Sequence, residues 1–201
     1  MGELPPKAPD NNLIIKLEAN SSLGRFDKLA KTQQTWLLHN LKVLADQHGY
    51  GGYVFDFEAL SAKGLAAYPL FLNETRAALA ATGREVWVTA PFDGEGWPLK
   101  RLEQASDTLV LMAYDEHYAL GDPGPNAGQD WYETELEKRF AHLDPNRVVL
   151  ALGAYGYDWT LNKDGSRASG APATFHEAMR NAQDAGATIR MDDNALNPIY
   201  Q

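Results

Sequence analysis

Hydrophobic positions along this chain follow two spacings in turn. Short continuous apolar runs occur at Leu13–Leu17, Tyr53–Phe57, Val86–Ala90, Thr108–Ala113 and Val148–Leu152. Runs of this length bounded by turn residues predict buried strands. Between them the spacing widens to three and four. Trp36, Leu37, Asn40, Leu41 and Leu44 mark one helix, with Gly49 as its stop. Pro69 is placed to open a second helix that carries Leu72, Leu79 and Ala80 on one face and closes at Gly83. Trp131 to Phe140 predicts a third, and Thr174-x-x-Glu177 is a capping box ahead of a helix that ends at Gly186. Strand and helix alternate without hairpin signals, which predicts an α/β protein with a parallel sheet. Residues 1–12, rich in Pro, Asn and charge, form a lead-in.

The polar residues with chemical potential cluster just after the strands. Open sheets and (β/α)8 barrels place their sites at that end. A nucleotide-binding doubly wound sheet is the alternative. The chain contains neither G-x-G-x-x-G nor a phosphate-loop motif, which favours the barrel. The stretch Leu120–Gln129 reads as a long ordered loop leading to Trp131.

The strongest chemical signal is Gly51-Gly52-Tyr53-Val54-Phe55-Asp56-Phe57-Glu58. Side chains alternate along a strand, so Tyr53, Phe55 and Phe57 share one face, suited to pack on helices, and Val54, Asp56 and Glu58 the other. Two carboxyl groups one step apart perturb each other's ionisation, which suits one of them to act as a general acid. A second strand runs into Met112-Ala113-Tyr114-Asp115-Glu116-His117, where Val110, Met112 and Tyr114 share a face. A third segment, Gly153-Ala154-Tyr155-Gly156-Tyr157-Asp158-Trp159, reads as a strand end with glycines between aromatics. Such a turn presents flat apolar faces, on which sugars stack, or simply an aromatic cluster beneath a loop.

Composition narrows the partners. The 201 residues are 44% hydrophobic, enough for one sizeable core. A formal charge of −9 argues against nucleic-acid binding, which needs a basic stripe, and disfavours anionic membranes, while a neutral polar substrate is compatible with it. There is no cysteine, so no disulfide, thiolate metal site or cysteine nucleophile. No apolar run reaches the ~18 residues of a membrane span. The segment Met1-Gly2-Glu3-Leu4-Pro5-Pro6 lacks the apolar core of a signal peptide. The five histidines, at 39, 48, 117, 142 and 176, form no H-E-x-x-H motif, and Asp192 and Asp193 are expected to serve a turn. Neither a metal nor a cofactor is expected.

Taken in order, these segments resemble the family 18 glycoside hydrolases, the chitinase-like (β/α)8 barrels. Gly52-Tyr53-Val54-Phe55-Asp56-Phe57-Glu58 resembles the end of the family's D-x-x-D-x-D-x-E strand, Met112-Ala113-Tyr114-Asp115 its M-x-Y-D strand, and Ala154 to Trp159 a Y-G-Y-D-W strand end. The loop Asp122-Pro123-Gly124-Pro125-Asn126-Ala127 is similar to a Pro-Gly-Pro loop of bacterial members often fused to polysaccharide deacetylase and glycosyltransferase domains. The resemblance covers residues 13–201 and implies an incomplete barrel of about strands three to seven, a fragment of a longer protein.

The resemblance also implies a retaining, substrate-assisted mechanism on a 2-acetamido sugar polymer such as chitin, peptidoglycan or poly-N-acetylglucosamine. Glu58 is then the acid. Asp56 accepts the acetamido N–H, and Tyr114 aligns the acetyl oxygen. Asp115, Met112, Tyr155, Tyr157, Trp159 and His117 are the implied substrate contacts. The family's first and middle aspartates correspond here to Gly51 and Val54, so Asp56 lacks the carboxylate neighbour that the family places two residues before it. That departure leaves a second reading, a non-catalytic carbohydrate-binding or scaffold domain of a larger polysaccharide-processing protein. An extracytoplasmic or cell-envelope setting is expected for the parent protein in either case.

Overall fold

The computed structural model describes residues 13–18, 31–58 and 60–201; the expected lead-in over 1–12 lies outside them. Five strands form one sheet: β1 (Leu13–Glu18), β2 (Tyr50–Asp56), β3 (Glu85–Pro91), β4 (Thr108–Ala113) and β5 (Val148–Leu152). Their order in the sheet is their order in the chain, and β1–β2 and β2–β3 pair in parallel. A doubly wound sheet reverses its strand order at a switch point, whereas a (β/α)8 wall adds each strand beside the last. The architecture is therefore α/β of the barrel type, with five consecutive wall strands.

The apolar runs of β2, β3 and β4 became strands that bury Tyr53 and Phe55, Val86 and Val88, and Leu109 and Leu111, whereas Val149 and Leu152 of β5 are exposed. Helices α1 (Lys31–His48), α2 (Ala62–Ala80) and α3 (Leu99–Ala105) alternate with the strands. The chain divides into two compact units, residues 1–111 with 142–149, and residues 112–141 with 150–201.

In the first unit the aromatic face of β2 packs as expected. Tyr53, Phe55 and Phe57 are buried. The Tyr53 hydroxyl donates to Leu41 O of α1 at 2.7 Å. Phe55 meets the Phe71 ring of α2 edge-on at 5.4 Å, and Phe57 lies 5.6 Å from the Tyr68 ring. Gly52 lets two backbones meet: a Cβ there would lie 2.2 Å from Glu85 O on β3. Asp107 ties the start of β3 to the start of β4, accepting from Val86 N at 2.8 Å and from Arg76 Nε at 2.7 Å.

Helix α2 departs from expectation. It begins at Ala62, capped by Ser61, whose hydroxyl accepts from Gly64 N at 3.1 Å, and Pro69 lies inside it. Proline removes one donor from the helix ladder; here burial on Gly64, Tyr68, Phe71, Leu72, Thr75 and Leu79 carries the helix through it. Ala80, expected on the packed face, is exposed. Helix α3 was not anticipated; its seven residues are too few to display a period, and it buries Leu99, Leu102 and Ala105.

The second unit holds α4 (Gln129–Phe140), β6 (Tyr155–Leu161), β7 (Arg167–Thr174), α5 (Phe175–Asp184), β8 (Ile189–Met191) and β9 (Pro198–Tyr200). The expectation of no hairpins is wrong here. β6 and β7 pair antiparallel, as do β8 and β9. The Y-G-Y-D-W segment is thus not the end of the preceding strand: β5 stops at Leu152, and Tyr155 opens a strand of its own. The capping box at Thr174 and Glu177 is present, and Gly186 (φ 64°) follows the helix. Asp192 serves the expected turn, its carboxylate accepting from Asn194 N at 3.0 Å and Ala195 N at 2.9 Å.

Candidate functional site

In the first unit the site begins at the C-terminal end of β2. Asp56, its last residue, is buried at 3% exposure. Glu58, two residues on, is exposed. Alternation puts Asp56 on the face opposite Phe55, and β3 supplies its neighbour. The register pairs Val54 with Trp87 and Phe55 with Val88, so Thr89 is next in line. The Thr89 hydroxyl donates a short hydrogen bond to Asp56 Oδ1. Thr89 is itself buried. Burial first, and the nearby Asp56 charge second, push the Tyr68 hydroxyl well above its ordinary value. Tyr68 stays protonated and donates to Phe55 O at 3.1 Å, which fixes the backbone just before the aspartate.

The second unit gathers five of the expected residues. Tyr114 follows β4 and is half-buried; its ring stands edge-on to Tyr155 at 6.1 Å. A Cβ on Gly153 would lie 2.8 Å from Tyr114 Cβ and 3.0 Å from Tyr155 Cε1, so glycine permits that approach. Tyr155, Tyr157 and Trp159, spaced by two on β6, share one face, with centroids 5.7 and 5.5 Å apart along the row. Asp115 lies across from the first two. It accepts from the Tyr155 hydroxyl at 2.5 Å and the Tyr157 hydroxyl at 2.7 Å, both on Oδ1.

Asp115 adopts φ 63°, a left-handed conformation uncommon outside glycine. Several hydrogen bonds tie the loop that follows it. Asn126, buried, accepts from Asp115 N at 2.8 Å through its side-chain oxygen and donates to Tyr155 O at 2.7 Å. Glu116 N donates to Asn126 O, and Glu116 Oε2 accepts from Gly128 N at the start of α4. His117 Nδ1 lies 2.9 Å from Asp122 O, and Gly124 packs against its ring. A carbonyl can only accept, so Nδ1 carries the proton. Met112 is half-buried near the end of β4, on the face away from buried Leu111 and Ala113.

Burial and then the Asp115 carboxylate raise both tyrosines, Tyr157 to about 12 and Tyr155 further. Both remain donors at any physiological pH. Asp115→Asn is expected to lower both values by removing the charge while burial remains, and a downward shift of the tyrosine absorbance titration near 295 nm checks it.

Thr89 and Asn126 were missed in the sequence. Asn126 lay within a segment recognised as an ordered loop, but nothing singled it out. Thr89 alternates with Val88 and Ala90 at the end of an apolar run, a position that points to the sheet's other face.

No family model matches the chain. Curated and solved proteins do resemble it. The uncharacterized glycosylase YvbX of Bacillus subtilis (strain 168) is 32% identical over 145 residues, 68% of this chain and 42% of that protein. The chain therefore spans less than half of that relative's length. The spore cortex-lytic enzyme SleL of Bacillus cereus superposes with a TM-score of 0.81 at 22% identity, covering 92% of this chain and 46% of that one, and so shares the fold. A chitinase from Chromobacterium violaceum ATCC 12472 superposes with a TM-score of 0.75 at 27% identity, over 85% of this chain and 55% of that one.

Proposed function

We propose that this chain is part of a family 18-type glycoside hydrolase that cleaves β-linked N-acetylhexosamine polymers with retention of configuration. One observation carries the reading: an exposed Glu58 stands two residues beyond a buried aspartate that a neighbouring strand's hydroxyl holds in place. The similarity to a glycosylase and a chitinase supports it.

In this reading Glu58 delivers its proton to the glycosidic oxygen as the C1–O bond breaks. The acetamido carbonyl oxygen of the substrate forms a bond to C1, giving an oxazolinium ion. Asp56 accepts the acetamido N–H and opposes the positive charge. Tyr114 donates its hydroxyl to the acetyl oxygen and aligns it. Water then attacks C1 while the Glu58 carboxylate takes its proton, and the bond to the acetyl oxygen breaks. Two inversions leave net retention. The nucleophile belongs to the substrate, so no second protein carboxylate is needed at short range. Asp115, Met112, His117 and the row Tyr155, Tyr157 and Trp159 are assigned to sugar contacts, the ring faces taking C–H groups and Asp115 a hydroxyl or amide. Residues 13–201 are assigned to the partial barrel, and the parent protein to the cell envelope, where deacetylase or glycosyltransferase domains outside this chain would act on the same polymer.

The test is incubation of the full chain with N-acetylglucosamine oligomers, read by proton NMR. The β-anomer is expected first, with mutarotation later. The α-anomer first would overturn the substrate-assisted route. Val54 favours the alternative of a non-catalytic carbohydrate-binding domain; binding of oligomers without any new reducing ends would decide for it.

A further inference from the structure

A buried carboxylate persists only with hydrogen-bond partners. On its own strand Asp56 has Val54 two residues back, which offers none, and Trp87 sits in register beside that valine. An apolar pair thus occupies the layer next to the aspartate. The side-chain donor that reaches it from β3 is Thr89, whose sequence position is 33 residues away. We infer that Thr89 is a positioning residue that holds the Asp56 carboxyl in one orientation, doing from the adjacent strand what a second carboxylate would otherwise do from the same strand. The inference rests on the hydrolase reading proposed above.

The two devices differ chemically. A neighbouring carboxyl group carries a charge of its own and shares a proton with the aspartate. A threonine hydroxyl is neutral, gives one proton into the hydrogen bond and keeps it. Thr89 thus anchors Asp56 without exchanging a proton with it. The methyl group of Thr89 limits rotation about its own χ1, so the hydroxyl's direction is set by the strand. The effect of Thr89 on the rate is felt at the transition state and the oxazolinium ion, where the acetamido nitrogen carries charge.

The experiment compares Thr89→Val, which keeps the shape and deletes the hydroxyl, with Thr89→Ser, which keeps the hydroxyl. On N-acetylglucosamine oligomers Thr89→Val is expected to lower kcat about tenfold, the effect of one hydrogen bond to a charged group, with KM changed less than about twofold. Thr89→Ser is expected to recover most of that loss. A stable cyclic mimic of the oxazolinium ion should bind Thr89→Val about tenfold more weakly. Unreacted oligomer should bind Glu58→Gln and Glu58→Gln/Thr89→Val alike. The Asp56 carboxyl carbon resonance, read by 13C NMR without substrate, should move in Thr89→Val and return in Thr89→Ser, with circular dichroism unchanged. A resonance that does not move, an unchanged kcat, or equal losses in the valine and serine variants would overturn the inference. Wild-type chain that releases no reducing ends overturns the hydrolase reading itself, and the two failures are distinguished by that control.

Discussion

Glu58→Gln is expected to lower kcat on N-acetylglucosamine oligomers by about 10²–10⁴-fold, the range for removing a general acid or base. The amide keeps the side chain's shape and can still accept a hydrogen bond, so KM should move far less than kcat. It cannot deliver a proton to a sugar oxygen, which is a poor leaving group without one. The defect should therefore depend on the leaving group. With an aryl N-acetylglucosaminide whose phenol departs unprotonated, the first step no longer needs the acid, and the variant should recover much of the lost rate until water attack becomes limiting. Steady-state hydrolysis of both substrates measures this. The exposed position of Glu58 makes the substitution benign to folding, so an equal thermal midpoint is expected alongside. Oligomer hydrolysis at the wild-type rate in the variant would remove Glu58 from the mechanism.

How far the sequence reaches is visible in particular elements. The five wall strands were legible because each is a short continuous apolar run, and each run was found within a few residues of its observed bounds. The place of Asp56 was legible because alternation along β2 separates it from the aromatic face without further knowledge, whereas Glu58 lies beyond the end of that strand. The start of α2 was obscured because Pro69 is a strong helix-opening signal and the Ser61 cap a weaker one. The β6–β7 hairpin escaped because β7 reads Arg-Ala-Ser-Gly-Ala-Pro-Ala-Thr, without apolar alternation, although Asp164-Gly165 marks its turn. In the candidate site, the sequence named candidate residues but not the partners that the structure gives them. Asp115 meets tyrosines 40 and 42 residues away, and Thr89 meets Asp56 across a strand register that local spacing does not encode.

Phe55→Ala is expected to produce the largest loss of stability, about 3–5 kcal/mol, the range for deleting a fully buried aromatic ring. Phe55 has no exposed surface. Its ring packs edge-on against Phe57 at 5.8 Å and Phe71 at 5.4 Å, so alanine forfeits those contacts together with the transfer of the ring from water. The cavity cannot close easily. Phe57 and Phe71 are held on a strand end and on α2, and the Phe55 carbonyl is tied to the Tyr68 hydroxyl. Phe55→Leu fills most of the space and should lose far less, which separates the cavity from any effect of changing the strand itself. Urea denaturation of the three proteins measures the difference as a shift in midpoint at constant slope. Phe55 also sits immediately before Asp56 and faces the opposite side of β2, so its packing against α2 sets the height at which the aspartate meets Thr89. A variant that retains the fold at low temperature should accordingly lose turnover as well as stability. A midpoint close to that of the wild type would mean that the core of the first unit does not rest on the aromatic face of β2.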